Sequence, residues 1–409
     1  TLLTIFLPIL KLISVFDPKL KLGLEGRKNW KSAIEKIPKD KPIIWFHCAS
    51  LGEFDQGLPI MNLIKSKNPS FQIVVTFFSP SGYLHYQKRK NPVDFAFYLP
   101  FDTRSNAKEF LSLLNPRIGF FVKYEFWLNI LNEAKNKGIP IFSVATILRP
   151  NQIYFKWFGG LFRKALKNVS YFFVQNKETT QLLNHLGIRN YEIIGDTRFD
   201  RVLENKILFE KSKSNVEFDI FERFLGNDKA IIFGSSWSQE EQILFSYIAE
   251  NKAQKVILAP HNVSETNIVF LQQKLKKTAV RFTSFENDYL NQQVLILDTI
   301  GHLSTAYSYG KVAFVGGGFS GSLHNILEPA VFGLPVFFGP KHDKFPEATE
   351  FINQGIGFEI ENYQEFILKL NVIQPKLEEL SKRTIEFVES QRGASEKILE
   401  NQEVKNLLN

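Results

Sequence analysis

The feature that most constrains this chain is a repeated alternation of short, continuous apolar runs with longer helix-like stretches. The runs fall in two sets. The first is "IIWFHCA" (43–49), "FQIVVTFF" (71–78), "FAFYLP" (95–100), "IGFFVKY" (118–124), "IPIFSVAT" (139–146) and "YFFVQ" (171–175). The second is "KAIIFGSS" (229–236), "KVILAP" (255–260), "VLILDTI" (294–300), "KVAFVGG" (311–317) and "LPVFFGP" (334–340). Runs that are continuous rather than alternating are those of parallel strands covered by helices on both faces. Strand–helix alternation at this spacing predicts a doubly wound α/β fold.

A charged interval poor in apolar residues, "ENKILFEKSKSNVEFD" (204–219), separates the two sets. It reads as a linker over 206–228 between two similar domains, 25–205 and 229–370, with polar helices over 371–409. In open parallel sheets ligands bind at the carboxyl ends of strands, so the expected site is a cleft faced by both domains. The 409 residues suffice for two such domains.

Composition bears on partners. The formal charge of +8 favours anions such as phospholipid surfaces, nucleotides or phosphorylated substrates. The positive charge is not gathered into an arm or recognisable module, which argues against a nucleic-acid binder. A single cysteine, Cys48, excludes an internal disulfide. At the start, "TLLTIFLPILKLISVF" is too short to cross a bilayer comfortably and lacks the features of a signal peptide. With Lys19, Lys21, Arg27, Lys28 and Lys31 after it, the segment 1–24 reads as an interfacial anchor on an anionic leaflet. A buried helix of the first domain is the other reading.

Several strand ends carry candidate chemistry. In "HCASLGEFDQ", Gly52 permits a tight turn and Glu53 stands in the first helical turn. It could deprotonate a hydroxyl, or merely favour the helix dipole. In "FVKYEFWLN", Glu125 is either a functional acid or a paired structural charge. In "GDTRFD", Arg198 could neutralise phosphate charge or serve as a linker charge. The second set offers "APHN", then "DTIGHL", and "GGGFSGSLHNILEP", where glycines permit close approach of a phosphate and Glu328 could meet ribose hydroxyls. His302 also reads as a plain loop histidine. No P-loop, HExxH or paired CxxC pattern occurs, so metal dependence is not expected.

Taken in order, "EGRKN" (25–29), "HCASLGE" (47–53), "TFFSPSG" (76–82), "LPFD" (99–102), "YEFWLN" (124–129), "GDTRFD" (195–200), "APHN", "DTIGHL" and the glycine-rich stretch resemble the 3-deoxy-D-manno-oct-2-ulosonic acid (Kdo) transferases of lipid A biosynthesis. That resemblance implies a GT-B glycosyltransferase fold, two Rossmann-like domains facing a cleft, with a membrane-associated N-terminal helix. It implies Kdo transfer from CMP-Kdo to a lipid A precursor at the cytoplasmic face of the bacterial inner membrane, with no cofactor. By it Glu53 would be the general base, and Glu125 and Arg198 would stabilise the transition state. Pro260, His261, Ile300, Gly301, His302, Gly317, Gly318, Asn325, Ile326, Leu327 and Glu328 would bind CMP.

The chain departs from the family pattern at Lys123, which replaces the first acid of an acid pair, and at His261, which replaces an arginine. It departs again at Arg198, which replaces a lysine, and at His302, where a glutamate is common; the glycine-rich loop before His324 is also shorter. The competing readings are another sugar-nucleotide transferase or epimerase with the same cleft, and a non-catalytic membrane-surface binding protein.

Overall fold

The computed structural model describes residues 12–87, 91–211, 216–286 and 290–408; residues 1–11 of the expected anchor lie outside the described residues. The chain divides into two compact units. Unit 1 comprises residues 1–201 and 391–409, and unit 2 residues 202–390.

Unit 1 is built on a seven-stranded parallel sheet in the order β3-β2-β1-β4-β5-β6-β7. Its strands are β1 (Ile43–Cys48), β2 (Gln72–Phe77), β3 (Phe95–Tyr98), β4 (Ile118–Val122), β5 (Ile141–Thr146), β6 (Tyr171–Val174) and β7 (Tyr191–Ile193). Every residue of β1, β2, β4 and β5 is buried, which is why those segments read as unbroken apolar runs. One face of the sheet packs Trp45, Val74 and Phe121 against Phe110, Leu131 and Leu166 from the covering helices. The other packs Phe46, Val75 and Phe120 against Phe54, Leu58 and Met61 of the Leu51–Lys67 helix, and against Ile398 and Leu399.

Unit 2 repeats the plan, with the order β10-β11-β9-β8-β12-β13-β14. Its strands are β8 (Ala230–Ser236), β9 (Val256–Pro260), β10 (Ala279–Arg281), β11 (Val294–Ile296), β12 (Gly310–Val315), β13 (Val336–Phe338) and β14 (Gly357–Glu359). In each sheet the order reverses beside the first strand: between β1 and β4 in unit 1, and between β8 and β12 in unit 2. Such switch points open a crevice beyond the carboxyl ends of the strands.

Two expectations change. The interval 206–228 is not an open linker: the Thr197–Lys211 helix runs into it and a Val216–Leu225 helix follows. Phe221, Phe224 and Leu225 are buried there, so a helical face hidden among charges holds the segment in unit 2. The C-terminal helices also do not form one region. The chain returns at residue 391 to complete unit 1.

One residue of the basic stretch near the start is corrected too, whereas Lys19, Lys21, Lys28 and Lys31 are exposed. Arg27 closes the Pro18–Gly26 helix but is buried, not presented outward. Its guanidinium donates to the carbonyls of Leu99 (2.9 Å), Gly23 (2.7 Å) and Phe78 (2.6 Å), beneath the rings of Phe78, Tyr98 and Phe101. Leu12, Val15 and Phe16 ahead of this helix are exposed. No helix among the described residues is long and apolar enough to cross a membrane.

Candidate active site

Glu53 stands at the switch point of unit 1. Ser50 caps the helix after β1, its hydroxyl accepting from the Glu53 amide at 3.4 Å. The Glu53 carboxylate folds back and accepts a hydrogen bond from the amide of Ala49. Its 6% exposure and the nearby Glu125 carboxylate push its pKa up to about 7, against the lowering effects of Lys123 and the Ala49 and Ser50 amides. A carboxyl poised near neutrality at a strand end can accept a proton from a bound hydroxyl.

Glu125 lies on the loop after β4, the neighbouring strand, and burial raises its pKa as well. The turn into this loop places Lys123 at φ +66°, a left-handed conformation that costs a non-glycine residue about 1–3 kcal/mol. The loop is held further along by Trp127, whose indole donates to His47 Nε2 at 2.9 Å and packs on Phe78. Asp102 then receives the amides of Asn129 and Ile130.

Arg198 is ion-paired with Asp196, its Nε at 2.8 Å and its terminal nitrogen at 2.6 Å from Oδ2. Thr197 donates to the carbonyl of Gln56 at 2.8 Å, so the helix carrying Arg198 starts beside the helix carrying Glu53. The Asp196 carboxylate offsets part of the charge that Arg198 could present to a phosphate.

Unit 2 forms its own constellation at the β8/β12 switch point. Trp237 follows β8 and stacks on His261, with centroids 4.4 Å apart and planes at 16°. His261 follows Pro260 at the end of β9, its amide donating to Ser236 O. His324 lies 4.9 Å from His261, and burial together with that neighbour lowers its pKa. The glycine turn after β12 is tightly enclosed: a Cβ at Gly316 would run into the Ser235 carbonyl, and one at Gly318 into the Gly339 amide.

The turn answers differently from the sequence reading at one point. The amide of Gly317 donates to Glu240 Oε1 at 2.9 Å, while Oε2 receives the Trp237 amide at 3.0 Å. That amide is therefore committed within the protein. Likewise the helix after the turn is short (Leu327–Ala330), and the Leu327 amide donates to Asn325 Oδ1. Asn325 Nδ2 bonds Glu328 Oε1 at 3.2 Å. The side chains of Ile326 and Leu327 are fully buried, leaving only their backbone for a ligand. Ile300 is 86% exposed, Gly301 adopts φ +112°, and His302 packs on Phe282 at 4.5 Å.

Sequence reasoning missed His47, Trp237, His324 and Glu240 as parts of these arrangements. The signal for His47 was a polar residue inside an apolar strand run. For Trp237 it was a large aromatic at the end of "IIFGSSW".

The family model described as 3-Deoxy-D-manno-octulosonic-acid transferase (kdotransferase) matches residues 25–201. The chain is 27% identical to the 3-deoxy-D-manno-octulosonic acid transferase of Aquifex aeolicus, covering 82% of this chain and 87% of that one. It is also 27% identical to the protein of that name from Rickettsia bellii, covering 91% and 90%. Among solved structures it is similar to a UDP-GlcNAc 2-epimerase from Neisseria meningitidis (TM-score 0.62, 15% identity, 88% of this chain and 98% of that one). It is similar too to a glycosyltransferase of kitacinnamycin (TM-score 0.53, 12% identity, 91% and 100%). At those identities the likeness is one of fold, and it is the two-domain fold expected from the sequence.

Proposed function

Because the chain belongs to the 3-deoxy-D-manno-octulosonic-acid (Kdo) transferase family, we propose that it moves Kdo from CMP-Kdo to a lipid A precursor with inversion at the anomeric carbon. The observation that carries this reading is Glu53, a carboxyl held near neutrality at the β1/β4 switch point.

In this scheme Glu53 takes the proton of an acceptor hydroxyl as that oxygen forms its bond to the anomeric carbon. The bond to the cytidylate phosphate breaks on the opposite face, and its electron pair leaves with CMP. Unit 1 thus supplies the base. Burial, and after it the charge of Glu125, hold the Glu53 pKa up, so that the base is matched to neutral pH. Arg198, beside Asp196, offers charge to the departing phosphate.

Unit 2 supplies the nucleotide site. Gly301 and its neighbours Ile300 and His302 line the base, and Asn325 to Glu328 meet the ribose. With the Gly317 amide engaged, the phosphate contact falls to the Gly318 side of the turn and to His261 beside Pro260. No cofactor or metal enters the scheme. The acceptor is a lipid, so the enzyme works at an anionic membrane surface, on the cytoplasmic face of the inner membrane.

The test is incubation with CMP-Kdo generated in situ and a tetraacylated, bisphosphorylated glucosamine disaccharide. A Kdo mass increment is expected. Transfer from a UDP-sugar instead, or greater thermal stabilisation by UDP than by CMP, would sink the reading in favour of another sugar-nucleotide enzyme.

A further inference from the structure

Beyond β5 the chain builds a projecting knob that the reaction scheme does not use. Trp157 is 91% exposed, Leu161 69% and Phe158 57%, three large apolar side chains within five residues. The two aromatic rings meet edge to face at 5.4 Å. Residues 149–167 carry Arg149, Lys156, Arg163, Lys164 and Lys167, with no aspartate or glutamate. Leu161, Lys164 and Lys167 follow at three-residue spacing, so cations flank the apolar tip along one side of the Gly160–Leu166 helix.

The knob is not a loose loop. Arg163 donates to the carbonyls of Tyr154 (3.1 Å) and Lys156 (2.8 Å), and the Gly159 amide bonds Lys156 O. A side chain at Gly159 would strike the Ile153 carbonyl, so the turn requires glycine. At its root Tyr154 is buried, with its ring 6.0 Å from Phe126. Tyr154 also feels the charge of Glu125, the neighbour of Glu53. The tip is thus fixed relative to the acid pair.

Exposed tryptophan and phenylalanine rimmed by lysine match the headgroup level of a bilayer, where an indole sits half in hydrocarbon and cations meet lipid phosphate. A protein partner would call for a broader, more mixed surface. We propose that the Trp157–Phe158–Leu161 knob inserts into an anionic lipid leaflet and is a second membrane contact of unit 1, separate from the N-terminal segment. This extends the membrane-surface reading above and names the residues that make the contact. It would hold the Glu53–Glu125 end of the sheet against the leaflet that carries a lipid acceptor.

The test is flotation of the full chain with phosphatidylcholine vesicles, with and without phosphatidylglycerol. The parent should float only with the anionic vesicles. The W157S/F158S/L161S variant should partition about tenfold more weakly or worse, with an unchanged melting temperature, because the side chains removed are at the surface. The K156S/K164S/K167S variant should lose the dependence on anionic lipid and on salt. In parallel, the parent's emission should shift blue and resist iodide quenching on vesicle addition, and W157F should show less of both.

If the parent does not float, the membrane reading falls along with this proposal. If it floats and the apolar triple variant floats equally well, or iodide reaches Trp157 equally with and without vesicles, only the knob is overturned. Self-association of the parent that the triple variant loses, without vesicle binding, would assign the tip to a second copy instead.

Discussion

His47 and Trp127 are joined by a hydrogen bond of 2.9 Å from the indole Nε1 to the imidazole Nε2. An indole can only donate, so Nε2 carries no proton and the proton sits on Nδ1, 3.0 Å from Thr76 Oγ1. Trp45 donates to the same hydroxyl at 2.9 Å, and Thr76 donates in turn to Phe46 O. The network therefore specifies a neutral imidazole, and burial, with a smaller push from Arg27, lowers its pKa to about 3.

A stability profile should reveal this. The unfolded chain protonates His47 near its ordinary value of 6.5, whereas the folded chain resists until about 3. The contribution is complete above 6.5 and is lost as pH falls toward 3. The stability difference between wild type and His47→Gln, from urea unfolding, should shrink by on the order of 3 kcal/mol between pH 7 and pH 4. Nitrogen NMR should show the Nδ1–H tautomer with no titration above pH 4. A pH-independent difference would refute the assignment.

Glu53 works in the opposite direction. Its folded pKa of about 7 lies above the ordinary 4.5, so its contribution is full below 4.5 and disappears as pH rises through 7. At pH 8 the protein holds a buried charge that folding disfavours. Glu53→Gln should stabilise the protein by about 1–3 kcal/mol at pH 8 and by little at pH 5. It should also reduce transfer by roughly 10²–10⁴-fold while CMP binding persists. Calorimetry at two pH values and a transfer assay suffice. A variant that transfers as well as the parent would remove Glu53 from the base role.

The charges facing Glu53 predict how its activity profile can be tuned. With a base of this kind kcat/KM should rise with pH and bend near 7. Glu125→Gln removes a like charge and should move the bend to lower pH, whereas Lys123→Met should move it higher. Rates measured from pH 5 to 9 distinguish the two. Identical bends in all three proteins would mean that the titrating group is not Glu53.

Much of this was legible in the residues, for a physical reason. Strands such as β1, β2 and β5 are buried on both faces, so burial wrote itself into continuous apolar runs. β10 ("AVR") and β14 ("GFE") are three-residue edge strands, only partly buried, and leave no run to find. The helix at Val216–Leu225 was hidden because composition averages a buried phenylalanine face with a charged one. Glu53 and Glu125 were visible as acids at strand ends. The role of Arg27 was not, because a count of cations does not say which one the fold encloses. Glu240 was invisible because one of its partners is a backbone amide 77 residues away.

Glu240 gives a prediction in unit 2. It is 1% exposed and spans the amides of Trp237 and Gly317. Glu240→Ala leaves the buried Gly317 amide and the partly buried Trp237 amide without acceptors, at about 1–3 kcal/mol for the buried one and less for the other. Glu240→Gln keeps one acceptor and should fall between. If the turn shapes the nucleotide site, CMP affinity should follow the same order in calorimetric titrations. Loss of stability with undiminished CMP affinity would confine Glu240 to a folding role.

Asp200 makes the last case, because it links the returning C-terminus to the helix that carries Arg198. Its two carboxylate oxygens accept from the amides of Gly393 and Ser395, each at 2.7 Å. They cap the Ala394–Glu400 helix, whose Gly393 adopts φ +98°. Ile398 and Leu399 of that helix share a core with Phe54, Leu58 and Met61 of the Leu51–Lys67 helix. Removing the cap therefore loosens the support under Glu53 without touching the site. Asp200→Ala should cost about 1–3 kcal/mol, and Asp200→Asn, which retains one acceptor, less. Hydrogen exchange should show lost protection in residues 394–408 together with residues 51–67. Fraying confined to 394–408, with the Glu53 helix as protected as before, would show that the two helices are not coupled in this way.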